Sequence, residues 1–123
     1  MYKIIFYQDR KGKQPVKDYL VQLSKRKDKD SRIKLNKYNE YISALSEYGL
    51  ELCEPYIKHL AGNIWELLPL RDRVLFAAWT GNSFVLLHYF MKTTQKTPKR
   101  EIEKAQNAFK DFCERSGKND ERI

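Results

Sequence analysis

The chain has little cysteine: Cys53 and Cys113 are its only two thiols in 123 residues, and they stand far apart. Neither has a second cysteine at a bridge or ligand spacing, which excludes a disulfide framework and a thiolate zinc site and suits a reducing compartment. Long hydrophobic runs are absent as well. No stretch approaches the roughly eighteen uninterrupted apolar residues of a membrane span. The opening Met1-Tyr2-Lys3-Ile4-Ile5-Phe6-Tyr7 is too short an apolar run for a signal peptide. A cytoplasmic protein without membrane contact is therefore expected. There is no internal repeat and no linker, so one domain over residues 1–115 is expected, followed by a frayed tail at 116–123. Acidic residues are scarce in the second half: between Pro55 and Arg100 only Glu66 and Asp72 occur. The two histidines, His59 and His88, have no carboxylate or thiol at a ligand spacing, so neither a metal nor a cofactor is expected.

What remains is positive charge. Lysine and arginine number 24 against 16 acids, a net +8. Seven basic residues in the Pro55–Arg100 segment (Lys58, Arg71, Arg73, Lys92, Lys96, Lys99, Arg100) against its two acids contribute +5 of that total. Such a field attracts polyanions, and nucleic acid is the first candidate partner.

The period of the apolar residues changes twice along the chain. Tyr2 to Tyr7 is a β-branched and aromatic run, hence a strand, closed by the polar stretch Gln8 to Lys13. Val16, Tyr19, Leu20 and Leu23 recur at helical spacing behind Pro15, which a first helical turn accepts. After the solvated charge run Lys25–Asp30, a longer helix follows from Leu35, Tyr38, Tyr41, Ile42, Leu45 and Tyr48, with Gly49 placed to end it. From Tyr56 the segments shorten to sheet length: Tyr56–Leu60, Ile64–Leu70, Arg73–Thr80 and Ser83–Met91. The last two meet at Gly81-Asn82, where a glycine in first place suits a type II′ hairpin turn. Strict alternation along Ser83–Met91 would put Phe84, Leu86, His88 and Phe90 on one face and Val85, Leu87, Tyr89 and Met91 on the other. Both faces would be covered, as in a central strand. Behind Pro98, the residues Ile102, Ala105, Phe109 and Phe112 predict a closing helix. The order predicts an α+β, two-layer fold: an antiparallel sheet of about four to five strands with two N-terminal helices packed on it and a C-terminal helix.

A hairpin closed at Gly81-Asn82 brings its open ends together, so Arg71 and Arg73 on one side should converge with Lys92 and Lys96 on the other. That grouping suits RNA cleavage without metal. The reaction drives a 2′-OH onto the adjacent phosphorus and needs a proton acceptor, cations around the phosphorane and a proton donor for the departing 5′-oxygen. Arginine supplies a rigid, permanently charged fork, and a lysine among cations can take or give a proton. The plainer readings stand beside this one: a solvated basic rim, a hydrogen-bonded core role for His88, and core packing for Trp65, Trp79 and most tyrosines.

The string Lys58-His59-Leu60-Ala61-Gly62-Asn63-Ile64-Trp65-Glu66-Leu67, then Arg73-Val74-Leu75-Phe76, then Phe84 to Phe90, then Lys92 with Gln95-Lys96-Thr97-Pro98 and Glu101-Ile102, resembles the phage-derived HigB-type subgroup of the RelE/ParE toxin superfamily. The resemblance covers roughly Lys58 to Ala105. It implies the toxin of a type II toxin–antitoxin pair, a ribosome-dependent mRNA endonuclease that enters the ribosomal A site and cuts mRNA. It also implies a HigA-like helix-turn-helix antitoxin as partner, through which alone operator DNA would be met. By that similarity Arg73 corresponds to a phosphate-contacting arginine and Lys92 to a second catalytic cation, with Lys96 a third member. General base and acid stay open among Lys92, Lys96 and His88; Lys58, Arg71, Lys99 and Arg100 are the further expected RNA contacts. Leu68 and Thr93 stand where relatives commonly carry cations. Two alternatives follow: a ParE-like gyrase poison, and a non-catalytic RNA- or ribosome-binding module of the same fold.

Overall fold

The computed structural model describes residues 1–116; of the expected tail at 116–123, Ser116 is helical and the rest lies outside the described residues. The elements run β1 (Lys3–Phe6), α1 (Pro15–Lys25), α2 (Lys29–Tyr48), a single 3₁₀ turn (Gly49–Glu51), β2 (Ile57–Ala61), β3 (Ile64–Leu67), β4 (Asp72–Trp79), β5 (Ser83–Met91) and α3 (Lys99–Ser116). The architecture is α+β, with one five-stranded sheet ordered β1-β5-β4-β3-β2. Strands β2 to β5 form the expected antiparallel ladder. β1, in contrast, adds to β5 in parallel, so the sheet is mixed.

Helices cover both sheet faces, where a single helical layer was expected. Val74 and Phe76 of β4 pack with Val16, Tyr38 and Leu45 of α1 and α2. Leu75 and Ala77 pack with Ala105, Phe109 and Phe112 of α3 on the other side. The cause lies in β4 and β5, whose residues are apolar at both parities; a strand of that kind must be sheltered twice. β5 is an interior strand as expected, while β4 occupies the middle of the sheet.

Local chemistry sets the element ends. Asp28 caps α2, its carboxylate accepting from the Ser31 backbone N–H at 2.9 Å, so the helix begins inside the charge run taken for a link. Gly49 ends α2 at φ 62°, and a Cβ there would lie 2.6 Å from the Tyr2 ring, so this turn requires glycine. The β4–β5 connection is three residues long, Thr80-Gly81-Asn82, since Trp79 pairs with Ser83. Thr80 rather than Gly81 takes the positive φ, at 59°, so the type II′ turn opening on glycine is not formed.

Strand β5 also departs from strict alternation. Leu75 pairs with His88 and Phe76 with Leu86, leaving Leu87 as an extra, bulged residue. Beyond the bulge the faces exchange: Phe84, Leu86 and Tyr89 face α1 and α2, whereas Val85, Leu87 and Phe90 face α3. Hence His88 and Tyr89, on the open-end side of the bulge, each serve a layer opposite to the one alternation assigns.

Candidate active site

The antiparallel ladder that builds the hairpin also builds its mouth. The last pair is Asp72 with Met91, and the next hydrogen bond runs from the Lys92 N–H to the Arg71 carbonyl at 2.8 Å. Arg71 and Lys92 thus leave opposite strands at the same level. Between them opens a hollow of about 560 Å³, lined by Leu70, Arg71, Arg73, Lys92 and the loop residues Thr93 to Gln95. Among the described residues, three cations and no carboxylate line it. The field inside therefore favours an anion, and hydroxyl and amide groups of the loop supply neutral partners.

Arg73 is the most tightly held of the three. Its Nη1 donates to the Leu70 carbonyl at 3.0 Å and to the Asp72 carbonyl at 2.7 Å. Its buried Nε has no hydrogen-bond partner among the described residues. Two carbonyl anchors fix the plane of the fork at little further entropic cost, the preorganisation that phosphate stabilisation requires. Leu70 holds a left-handed backbone at φ 61° while its side chain stays 46% exposed on the rim. Strain of this kind in a non-glycine residue gathers at functional sites.

A second set of groups props the mouth from below. Asp72, only 2% exposed, points toward α2, where Tyr38 donates to Oδ2 at 2.5 Å and Lys34 Nζ lies 3.3 Å from Oδ1. Lys34 also donates to the Tyr19 hydroxyl at 3.0 Å, and Tyr19 stacks on Tyr89 of β5 at 4.3 Å. Burial, then the Asp72 carboxylate, push the Tyr38 phenol far above the ordinary tyrosine range, so it stays a donor. For Lys34 burial acts downward, but the Tyr19 hydroxyl and Asp72 outweigh it and raise its pKa.

The family model described as phage-derived protein Gp49-like (DUF891) matches residues 19–110, from α1 to α3 and across the whole hollow. The chain belongs to the Gp49-like family. That family is a toxin family of the RelE type, and the fold is consistent with it. No curated protein matches the chain.

In this Gp49-like chain only part of the expected residue set meets in the hollow. Arg71, Arg73 and Lys92 line it; Lys96 does not, although its carbonyl accepts from Thr94 Oγ1 at 2.6 Å and so shapes the loop that does. His88 is outside the hollow. Its Nε2 donates to Glu101 Oε1 at 2.6 Å, tying β5 to α3, and its ring stacks beside Phe90 at 6.2 Å. Lys58 is exposed on the edge strand β2, paired in register with Glu66. Lys99 and Arg100 are exposed in the first turn of α3, and Arg100 Nε lies 3.6 Å from Glu101. Trp79 packs edge-on against Phe112, and Trp65 lies half-buried beside His59. Sequence reasoning missed Leu70, Thr93, Thr94 and Gln95 as wall residues, and Asp72 as a support. Asp72 had a usable signal: it shares strand parity with Val74 and Phe76, so its carboxylate had to enter the core and find donors there.

The loop itself is pinned at its far end. Thr97 Oγ1 donates at 2.7 Å to Glu66, a carboxylate only 1% exposed on β3. Among the described residues no helix is long and apolar enough to cross a membrane, and no three His, Cys, Asp or Glu side chains group as a metal would need.

Proposed function

We propose that this Gp49-like chain is the toxin of a HigB-type pair, a ribosome-dependent mRNA endonuclease working in the cytoplasm as one domain over residues 1–115. The observation that carries the reading is the convergence of Arg71, Arg73 and Lys92 on a single hollow free of carboxylates. In the reaction a ribose 2′-oxygen loses its proton and bonds to the adjacent phosphorus while the bond from phosphorus to the 5′-oxygen breaks. The products are a 2′,3′-cyclic phosphate and a free 5′-hydroxyl. Arg73 and Arg71 hold the non-bridging oxygens, where negative charge grows in the phosphorane. Base and acid fall among Lys92, Lys96 and His88. Lys92 is favoured by its place on the wall, while His88 already commits Nε2 to Glu101.

The openness of the site supports dependence on the ribosome. Thr93, Thr94 and Gln95 are all exposed, so the hollow does not wrap an RNA strand by itself. Alignment of the 2′-oxygen with phosphorus must then come from the body that holds the message, the A site. Lys58, Lys99 and Arg100 are available as outlying phosphate contacts. A helix-turn-helix antitoxin is the proposed protein partner, and DNA would be met through it alone.

A second reading has its own support: Thr93 and Leu68 are uncharged members of the walls around Arg73, which suits a module that binds RNA or the ribosome without cutting. Primer extension on mRNA from cells briefly expressing the chain separates the readings. Codon-linked breaks ending in cyclic phosphate support the nuclease, DNA double-strand damage a gyrase poison, and neither the binding module.

A further inference from the structure

Behind the cationic hollow lies a second one of about 460 Å³, and Leu70 and Arg73 belong to the walls of both. The rest of its lining differs in kind. Tyr41 and Lys37 come from α2, Glu54 and Pro55 from the segment before β2, and Leu68 from the β3–β4 connection. Lys37 and Tyr41 are four residues apart, so they share one helix face. Tyr41 is braced by Tyr56, whose ring centroid lies 4.9 Å away at 54°. Glu54 is exposed and, with Lys37, gives the rim one acceptor and one donor.

We propose that this second hollow is a nucleobase subsite, receiving the base of the nucleotide whose phosphate lies among Arg71, Arg73 and Lys92. The inference rests on reading the cationic hollow as a phosphodiester site. In one nucleotide, base and phosphate are separated by a ribose, so a base pocket must adjoin the phosphate pocket. Arg73 forms that boundary, held by its bonds to the Leu70 and Asp72 carbonyls. The charge of the two hollows divides the ligand in the same sense. The first presents three cations and no acid, whereas the second sets Glu54 against Lys37 and Arg73. An anionic phosphate favours the first, leaving the second to an uncharged group. Tyr41 supplies an aromatic ring to the wall for stacking, Leu68, Leu70 and Pro55 add apolar lining, and Lys37 and Glu54 meet an edge that carries both acceptors and donors. Base–aromatic stacking strengthens with ring area, so purines should be preferred.

The test is titration of the full chain with inorganic phosphate and with the four nucleoside 3′-monophosphates, followed by NMR. The 3′-purine nucleotides are expected to bind roughly tenfold tighter than inorganic phosphate and to shift Tyr41 resonances, the gain that one stacked base gives. Tyr41→Leu keeps an apolar side chain beside Tyr56 but removes the ring; with a thermal melt showing the variant folded, it should erase that gain while phosphate affinity stays unchanged. The exposed Glu54→Gln should alter the ranking of the four bases without touching the fold. Phosphate binding with no added affinity for any nucleotide would overturn the base subsite and leave the cationic reading intact. Failure of phosphate and nucleotides alike to bind would overturn both.

Discussion

Asp72 stands between two arginines yet serves neither of them through its side chain. Its carboxylate turns into the core, toward Tyr38 and Lys34, while its backbone carbonyl accepts from Arg73. One residue thus fixes the strand start on which both guanidiniums depend. Asp72→Ala leaves a buried phenol without its acceptor and a largely buried ammonium with only the Tyr19 hydroxyl, and should cost about 3 kcal/mol of stability. Tyr38→Phe removes one hydrogen bond and leaves the carboxylate its lysine, so about 1–2 kcal/mol is expected. Urea denaturation midpoints check both. Losses within a few tenths of zero for either variant would show that the buried group is satisfied in some other way.

At the scale of elements, β1 is an edge strand of four residues, and a side-chain clamp ties the chain beyond it to α3. Tyr7 donates to Asp111 at 2.6 Å, Arg10 Nε at 2.7 Å and Arg115 Nη2 at 2.7 Å. Hydrogen bonds from Arg115 and then Tyr7 lower the Asp111 pKa to about 2. Burial and the Asp111 carboxylate raise that of Tyr7 to about 12. The signs bound a pH window. A depressed carboxylate stabilises the fold above its unfolded pKa and loses that contribution as pH falls toward 2; a raised phenol stabilises below its unfolded pKa and loses it as pH climbs toward 12. Stability should therefore fall at both edges, and Asp111→Asn should flatten the acid edge in thermal melts across pH. An acid edge identical in the variant would contradict the clamp.

The hairpin and its mouth could be read in the sequence because two β-rich runs flank Gly81-Asn82, and the pairing of their far ends follows from closure alone. Helix α2 and its end at Gly49 were legible for the same local reason. The bulge at Leu87 has no local signature, and it alone decides that His88 reaches Glu101 on α3. The parallel seat of β1 beside β5 and the placement of α3 opposite α1 and α2 are tertiary choices that periodicity cannot encode. Of the cations expected to converge, the three nearest the last ladder pair do so. Lys96, four residues along the loop from Lys92, does not line the hollow, because strand register ceases to constrain the chain beyond Lys92.

For the whole molecule, the net charge of +8 sets how RNA arrives and the mouth sets what happens there. Binding to single-stranded RNA should weaken with salt, each phosphate contact adding about 0.7 to the log–log slope. Lys92→Gln should flatten that slope by about this amount; an unaltered slope would place Lys92 off the RNA. The central claim, that the mouth is a phosphorane-stabilising site, is tested most directly by single-turnover cleavage of a ribosome-bound message by Arg73→Ala beside the parent chain. Loss of one fixed donor at the developing charge costs about 3 kcal/mol, so cleavage about a hundredfold slower is expected, with the thermal melt confirming a folded variant. A folded Arg73→Ala protein that cuts at the parent rate would contradict the account.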